Sequence, residues 1–417
     1  MKYTPDYSSR FRILKGGKIS LVVSSLLVSS SVVITDANAA TIDNTTQTAN
    51  YDFAPIAEDL TITSTGSIEV DDATTALDIT VSLSDPNYIL NQGTISLTGG
   101  TNASAIFAQT GVDITGTITN QGIVSNTVTS NSGAAGMNFK VLNGGTVTNA
   151  SEAEIIVSST GGTTAFGWGL NFDGLVSNSA AISNAGTITV DSTGDAYGIR
   201  LSKTSTTLSM SMIENNGEIQ IDGKKQAYGI FVNDDMEDSQ IKNNGEMNIS
   251  VESALVNDDM PMTTNLYGAG IHLNRVMADT DGILTEVENS DTINVSTTAN
   301  ITVDGDRNTY ETTVGAKGIY INFLGGATTP DTTAFLTNRG EITATSKLNI
   351  DFTNEGDSLD TGGNSMSSLA TGIEVATTSK SQIVNDLESS IIVLSEVNVD
   401  EKGTVYGGYL GAEANGI

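Results

Sequence analysis

An aliphatic residue, any residue, then asparagine recurs nine times along this chain, usually followed by x-Gly-x-aliphatic. The sites are Ile89-Leu90-Asn91, Ile118-Thr119-Asn120, Val147-Thr148-Asn149, Ile182-Ser183-Asn184, Ile213-Glu214-Asn215, Ile241-Lys242-Asn243, Val287-Glu288-Asn289, Leu336-Thr337-Asn338 and Ile383-Val384-Asn385. At two of them the trailing aliphatic, Ile155 or Ile391, arrives two residues late, a shift that preserves strand parity. Between these sites lies a second unit, Gly followed by alternating apolar residues. It reads Gly136-Met137-Asn138-Phe139, Gly169-Leu170-Asn171-Phe172, Gly198-Ile199-Arg200-Leu201, Gly229-Ile230-Phe231-Val232, Gly270-Ile271-His272-Leu273, Gly318-Ile319-Tyr320-Ile321, Gly372-Ile373-Glu374-Val375 and finally Gly416-Ile417. Alternation with a period of two marks strands with one buried and one solvated face.

Successive asparagines of the first unit stand 29, 29, 35, 31, 28, 46, 49 and 47 residues apart. Short strands at such intervals, joined by Gly, Asn, Asp and Ser/Thr turns, describe a coil that returns to the same place each turn. The expected fold is all-β, a parallel β-solenoid read as a right-handed β-helix, its turns stacked at about 4.8 Å. The asparagines share the parity of the inward aliphatics, so Asn91, Asn120, Asn149, Asn184, Asn215, Asn243, Asn289, Asn338 and Asn385 are expected to form an internal amide ladder. The glycine beside it is expected to supply a positive φ or a tight bend at the corner. The wider spacing after Asn243 admits either loop insertions or two shorter coils per interval. The acidic stretches 252–265, 304–315 and 353–368 favour insertions in the C-terminal half. Residues 40–59 fit no coil and are expected to cap a solenoid spanning 60–417.

The first 39 residues read as an address. Arg10, Arg12, Lys15 and Lys18 precede an apolar run, Ile19 to Ile34, and then Ala37-Asn38-Ala39, the order of a secretory signal peptide. Composition narrows the field further. The chain carries 49 Asp+Glu against 18 Lys+Arg, and removal of five basic and two acidic residues after Ala39 leaves a net charge of −34. Nucleic acid and anionic membranes need clustered Lys/Arg, so neither is an expected partner. The absence of cysteine excludes thiolate chemistry and disulfide scaffolds, and a single histidine excludes multi-histidine metal sites. No cofactor and no metal is expected.

Candidate chemistry is sparse. His272, the only imidazole, stands in the outward column Asn138, Asn171, Arg200, Phe231, His272, Tyr320, Glu374 and is expected to face solvent. Glu218, Glu246 and Glu341 share another outward column; the first two fall on consecutive coils, at the spacing of a retaining glycosidase pair or of a solvated ladder. The runs 234–238, 257–259 and 304–308 resemble calcium loops only loosely and read as solvated acids. Trp168, Tyr197 and Tyr228 repeat at one position of three successive coils, as an aromatic support or a sugar-binding strip. Outward Phe231, His272 and Tyr320 make a second, separate strip that suits a partner surface.

With a leader, a cysteine-free acidic composition and repeats such as Asn215-Asn216-Gly217-Glu218-Ile219 followed by Ala227-Tyr228-Gly229-Ile230, the chain resembles the passenger region of bacterial autotransporters, over roughly residues 60–417. The resemblance implies a non-enzymatic surface stalk or adhesin, exported across the inner membrane to the cell surface, outer membrane or medium. It also implies an outer-membrane β-barrel translocator and a host or neighbouring-cell glycan or protein as partner. Two-partner secretion exoproteins are a structural rival, and a polysaccharide-acting lyase or glycosidase on the same scaffold is the competing class. The chain stops in mid-repeat at Gly416-Ile417. It is therefore expected to be the front of a longer protein, with further coils and a barrel of about 8–14 strands. A stop codon directly after Ile417 in the native gene, with the 417-residue chain soluble and monomeric, would refute this.

Overall fold

The computed structural model describes residues 40–417 except 55–57, 163, 203–207, 257–261, 309, 328–331, 362–364, 401 and 407–408. The expected signal peptide at 1–39 and the acidic run at 257–259 lie outside the described residues. Within them the chain is all-β, without helix, and its strands pair in parallel into a β-solenoid. The first sheet has eleven strands, from Ala40–Ile42 to Ser381–Asn385, and holds the asparagine unit. The second also has eleven, from Thr46–Gln47 to Ser390–Val399. The third, built on the glycine unit, runs from Tyr51–Phe53 to Tyr409–Asn415 and reaches fifteen strands by adding four short ones, Asp113–Ile114 among them, at its side.

Each strand alternates. In Thr292–Val303, residues Ile293, Val295, Thr297, Ala299, Ile301 and Val303 are buried while the intervening side chains turn outward. Stacking then places like upon like. One column of the second sheet runs Ile95, Val124, Ile155, Ile188, Ile219, Met247, Ile293, Ile342, Ile391. Both late aliphatics, Ile155 and Ile391, fall in that register. The asparagines form a second column, in which the Nδ2 of each donates to the Oδ1 of the next at 2.7–2.8 Å from Asn91 to Asn385. Asn91 to Asn338 are fully buried, and Asn385 lies exposed on the last turn.

Three expectations need correction or refinement. Residues 40–53 are not a cap lacking a coil. They are a first turn, whose strands pair with Leu60–Ile62, Ser67–Asp71 and Thr75–Ile79. It escaped notice because the asparagine column begins only at the third turn; Ile42 and Ile62 occupy it before Asn91. The corner glycines Gly93, Gly122, Gly186, Gly217, Gly245 and Gly340 do not take positive φ. They are glycine because a Cβ there would overlap a backbone carbonyl oxygen of the neighbouring turn. Positive φ falls instead at the next corner, as at Gly99 (86°) and Gly100 (72°).

After Asn243 each long interval is one coil with inserted residues, as the register Asn243–Asn289–Asn338–Asn385 shows. Most of the insertion is folded into longer strands. Glu246–Val256 pairs along its length with Thr292–Val303, and Met262–Ala278 with Tyr310–Gly326. A three-stranded fourth sheet, Asp306–Asn308, Ser358–Asp360 and Thr404–Tyr406, completes the widened section. Its added core includes Ile301, Leu348, Ile350, Phe352 and Leu359.

Asn243→Asp should lower the stability of the solenoid by about 3 kcal/mol at neutral pH, because an acceptor then faces the Asn289 oxygen and a buried charge lacks its partner. Burial raises the carboxyl pKa of such a variant, so its melting temperature should recover as pH falls towards about 4. An unchanged melting temperature at pH 7 would remove the ladder from the stability argument. Gly229→Ala should cost about 1–3 kcal/mol in the same measurement, since its Cβ would lie 2.6 Å from the Gly270 oxygen and 3.0 Å from Met247 Sδ.

Candidate ligand-binding strip

The glycine of the second repeat unit does more than admit its neighbour. At Gly169, Gly198, Gly229, Gly270 and Gly318 one residue pair drops out of the ladder while the register on either side is unchanged, and the inward–outward alternation of the strand restarts there. Ala227, Ile230 and Val232 therefore all belong to the solenoid core, while Tyr228 lies in a separate cluster with Tyr197 and Ala269. Trp168, Phe231 and Tyr267 pack against that cluster. Side chains three positions apart across the glycine, Tyr228 and Phe231 among them, thus share one outer face.

Two strips expected as separate are consequently one. Trp168, Tyr197 and Tyr228 are register partners, as are Arg200, Phe231, His272 and Tyr320. Their rings interlock across the two columns. Phe166 stacks on Trp168 at 6.0 Å, Tyr197 on Tyr228 at 5.1 Å, and Phe231 lies 5.3 and 4.9 Å from those two tyrosines. His272 touches Tyr228, Phe231, Tyr267 and Tyr320 with centroid separations of 4.7–5.8 Å. The gap between Trp168 and Tyr197 is bridged by the Arg200 guanidinium, 5.1 Å from each ring. At the other end Lys317 Nζ sits 4.0 Å from the Tyr320 ring and 2.8 Å from Glu374 Oε2.

His272 is thus not the ordinary solvent-facing residue expected of its column. The column itself is also more ordered than its mixed composition implied. Asn171 Nδ2 donates to Asn138 Oδ1 at 2.9 Å, and Arg200 Nη1 donates to Asn171 Oδ1 at 3.0 Å. Sequence reasoning missed Tyr267, Lys317, Asp195 and Phe166. The available signal was glycine at the matching place on the adjacent turn: a Cβ at Gly133 would collide with Trp168, and one at Gly315 would crowd Tyr267.

Burial governs the electrostatics here. It pushes the Tyr197 hydroxyl up to about 12 and raises Tyr228, Tyr267 and Tyr320 above the usual tyrosine value, so all four remain proton donors. Burial also raises Asp195 and lowers Arg200. His272 is held down to about 4, by burial first and by the Lys317 charge second, and is a neutral ring at physiological pH. Five buried polar atoms of the strip have no hydrogen-bond partner: Trp168 Nε1, Asp195 Oδ1, Arg200 Nε, Tyr267 Oη and His272 Nδ1. An unmade buried hydrogen bond costs about 1–3 kcal/mol, so this surface holds polar groups that a ligand can satisfy.

The other candidates stand apart from the strip. Glu218 and Glu246 are register neighbours on the exposed face of the second sheet, where Glu246 Oε1 accepts from Asn248 at 2.8 Å. Glu341 is two turns further on. In the run at 234–238, Asp235 pairs with Arg275 at 2.9 Å and Asp238 Oδ1 accepts the backbone N–H of Asp279 and Thr280. In the run at 304–308, Asp304 Oδ1 lies 3.4 Å from Asn354 Nδ2, its hydrogen-bond donor. No group of three or more metal-ligating side chains occurs among the described residues.

Residues 58–253 match the family model described as the BigA third pectate lyase-like domain. The description labels a coil architecture and carries no activity with it. The matched segment ends where the strands begin to lengthen, so it contains Trp168, Tyr197, Tyr228 and Phe231, while His272 and Tyr320 lie beyond it. Neither the comparison with curated proteins nor that with solved structures found a match.

The lone imidazole should titrate by NMR with a midpoint near 4. An unfolded histidine binds its proton at about 6.5, so between that pH and about 4 the unfolded state holds more protons and stability is lost as the pH falls. His272→Phe should flatten that part of the melting-temperature profile. A midpoint near 6.5 would place the ring in solvent.

Proposed function

We propose that this chain is an exported, surface-associated β-helical passenger, acting as a structural stalk and adhesin, with no enzymatic activity. The observation that carries the reading is the strip of interlocked aromatic and cationic side chains running across successive turns of one sheet, from Phe166 to Lys317. A surface that repeats along a stacked scaffold binds extended partners, here a host or neighbouring-cell glycan or protein. The likeness of residues 58–253 to a pectate lyase-like domain of BigA, the leader-like first 39 residues and the cysteine-free composition all agree with an exported β-helix. Export through an outer-membrane β-barrel translocator suits a chain whose turns add one after another as it emerges. Glu218 and Glu246 are assigned to a solvated ladder in this reading, not to a glycosidic acid pair.

Produced from its native gene in a Gram-negative host, the protein should begin at Ala40 and be removed from intact cells by external protease. Cells carrying it should attach to a surface or to each other, and should do so equally well with Glu218→Gln and Glu246→Gln. Retention of residues 1–39 with protection from protease would overturn the surface assignment. Loss of attachment in the glutamine pair would favour the enzyme.

A further inference from the structure

We propose that the strip binds a neutral, hydroxyl-rich glycan chain laid along the solenoid axis, an assignment that rests on the adhesin reading above. Three observations combine. The rings repeat with the turns: buried Tyr197 stacks on Tyr228 at 5.1 Å, and the exposed or half-buried Phe166, Trp168, Phe231 and Tyr320 around them offer apolar ring surface to the C–H faces of successive sugar rings. The partnerless polar atoms are of both kinds: Trp168 Nε1 and Arg200 Nε donate, Asp195 Oδ1 accepts, and the Tyr267 hydroxyl can do either. Sugar hydroxyls both donate and accept, and so match this mixture better than an anion or a hydrocarbon does. Third, the cations are compensated. Lys317 is paired with Glu374, and the carboxylates of Asp173 and Asp195 lie close enough to Arg200 to act on its charge. A carboxylated sugar would find no free cation in the strip, whereas a neutral one meets only dipoles and ring faces.

The assignment gives the residues distinct parts. Phe166, Trp168 and Phe231 are platforms for successive sugar rings, and buried Tyr197 and Tyr228 support them from beneath. Arg200 and Asp195 reach hydroxyls at the edge of the first two platforms. Tyr267 and His272 serve the third, with the histidine neutral. Because the outer aromatic rings cover the partnerless atoms, binding requires those rings to turn aside, and the bonds then made offset that movement.

Trp168 is the single tryptophan, so its emission reports this strip alone. The full mature chain is titrated with hexasaccharides of β-linked glucose, α-linked glucose and β-linked galactose, with an oligogalacturonate of equal length, and with a hexapeptide rich in tyrosine. At least one neutral hexasaccharide should shift the Trp168 emission and give calorimetric binding that salt does not weaken. Tyr228→Ala should reduce that affinity about tenfold or more, and Arg200→Gln about fivefold. Should Tyr228→Ala lose its β circular dichroism, Tyr197→Leu and Arg200→Gln supply the same comparison. Absence of response to all three neutral sugars up to about 10 mM, tighter binding of the oligogalacturonate, response to the peptide alone, or unchanged affinity in the folded variants would each overturn the proposal. Cells that still attach while every sugar fails would overturn the glycan assignment and leave the adhesin reading standing. Sugar binding by a protein whose cells do not attach would do the reverse.

Discussion

In-register parallel stacking sets one condition on every position of this protein: a side chain must tolerate its counterpart on the next turn at about 4.8 Å. Branched aliphatics meet it by packing, as in the column from Ile95 to Ile391. Primary amides meet it by carrying a donor and an acceptor on the same group, which is why asparagine can repeat through the interior where a carboxylate cannot. Aromatic rings meet it by offset stacking. Glycine meets it where two backbones approach too closely for any Cβ. Glutamate does not, and Glu218 and Glu246 adjoin only on a solvated face, where water screens their repulsion.

The glycine column decides more than local clearance. By restarting the strand alternation once per turn, it places the columns of Tyr228 and Phe231, which a strict alternation would put on opposite faces, on one outer face of the third sheet. Those columns are near enough to mesh, so rings that repeat singly along the chain become a continuous surface. The widened turns beyond Asn243 extend that surface by contributing Tyr267, His272, Lys317 and Tyr320.

Inside, the long columns of polar groups are bonded from turn to turn: the asparagine ladder runs from Asn91 to Asn385, and Ser346, Ser368 and Ser395 are linked at 2.8–2.9 Å in the widened section. On the strip, five buried donors and acceptors have no protein partner. Among the described residues, five other buried polar atoms without a partner, Asn126 Oδ1 and Thr312 Oγ1 among them, are scattered elsewhere in the solenoid.

Residue periodicity alone determined the solenoid and the inward asparagine column, while the choice between one coil and two in each long interval after Asn243 came only from the pairing of Asn243, Asn289, Asn338 and Asn385. The solenoid and the column are each a local alternation repeated at intervals, and parity carries it through insertions. The position of Trp168, Tyr197, Tyr228, Phe231, His272 and Tyr320 on repeated sites was legible for the same reason. Other features required the assembled turns. The first two coils lack the asparagine that marks the rest, so only pairing of Ala40–Ile42 with Leu60–Ile62 reveals the first. The merging of two aromatic columns depends on the restart of alternation at glycine, which a strict period of two does not contain. The burial of His272 follows from four rings on three neighbouring turns, residues as distant as Tyr228 and Tyr320, and no local pattern records which columns will touch.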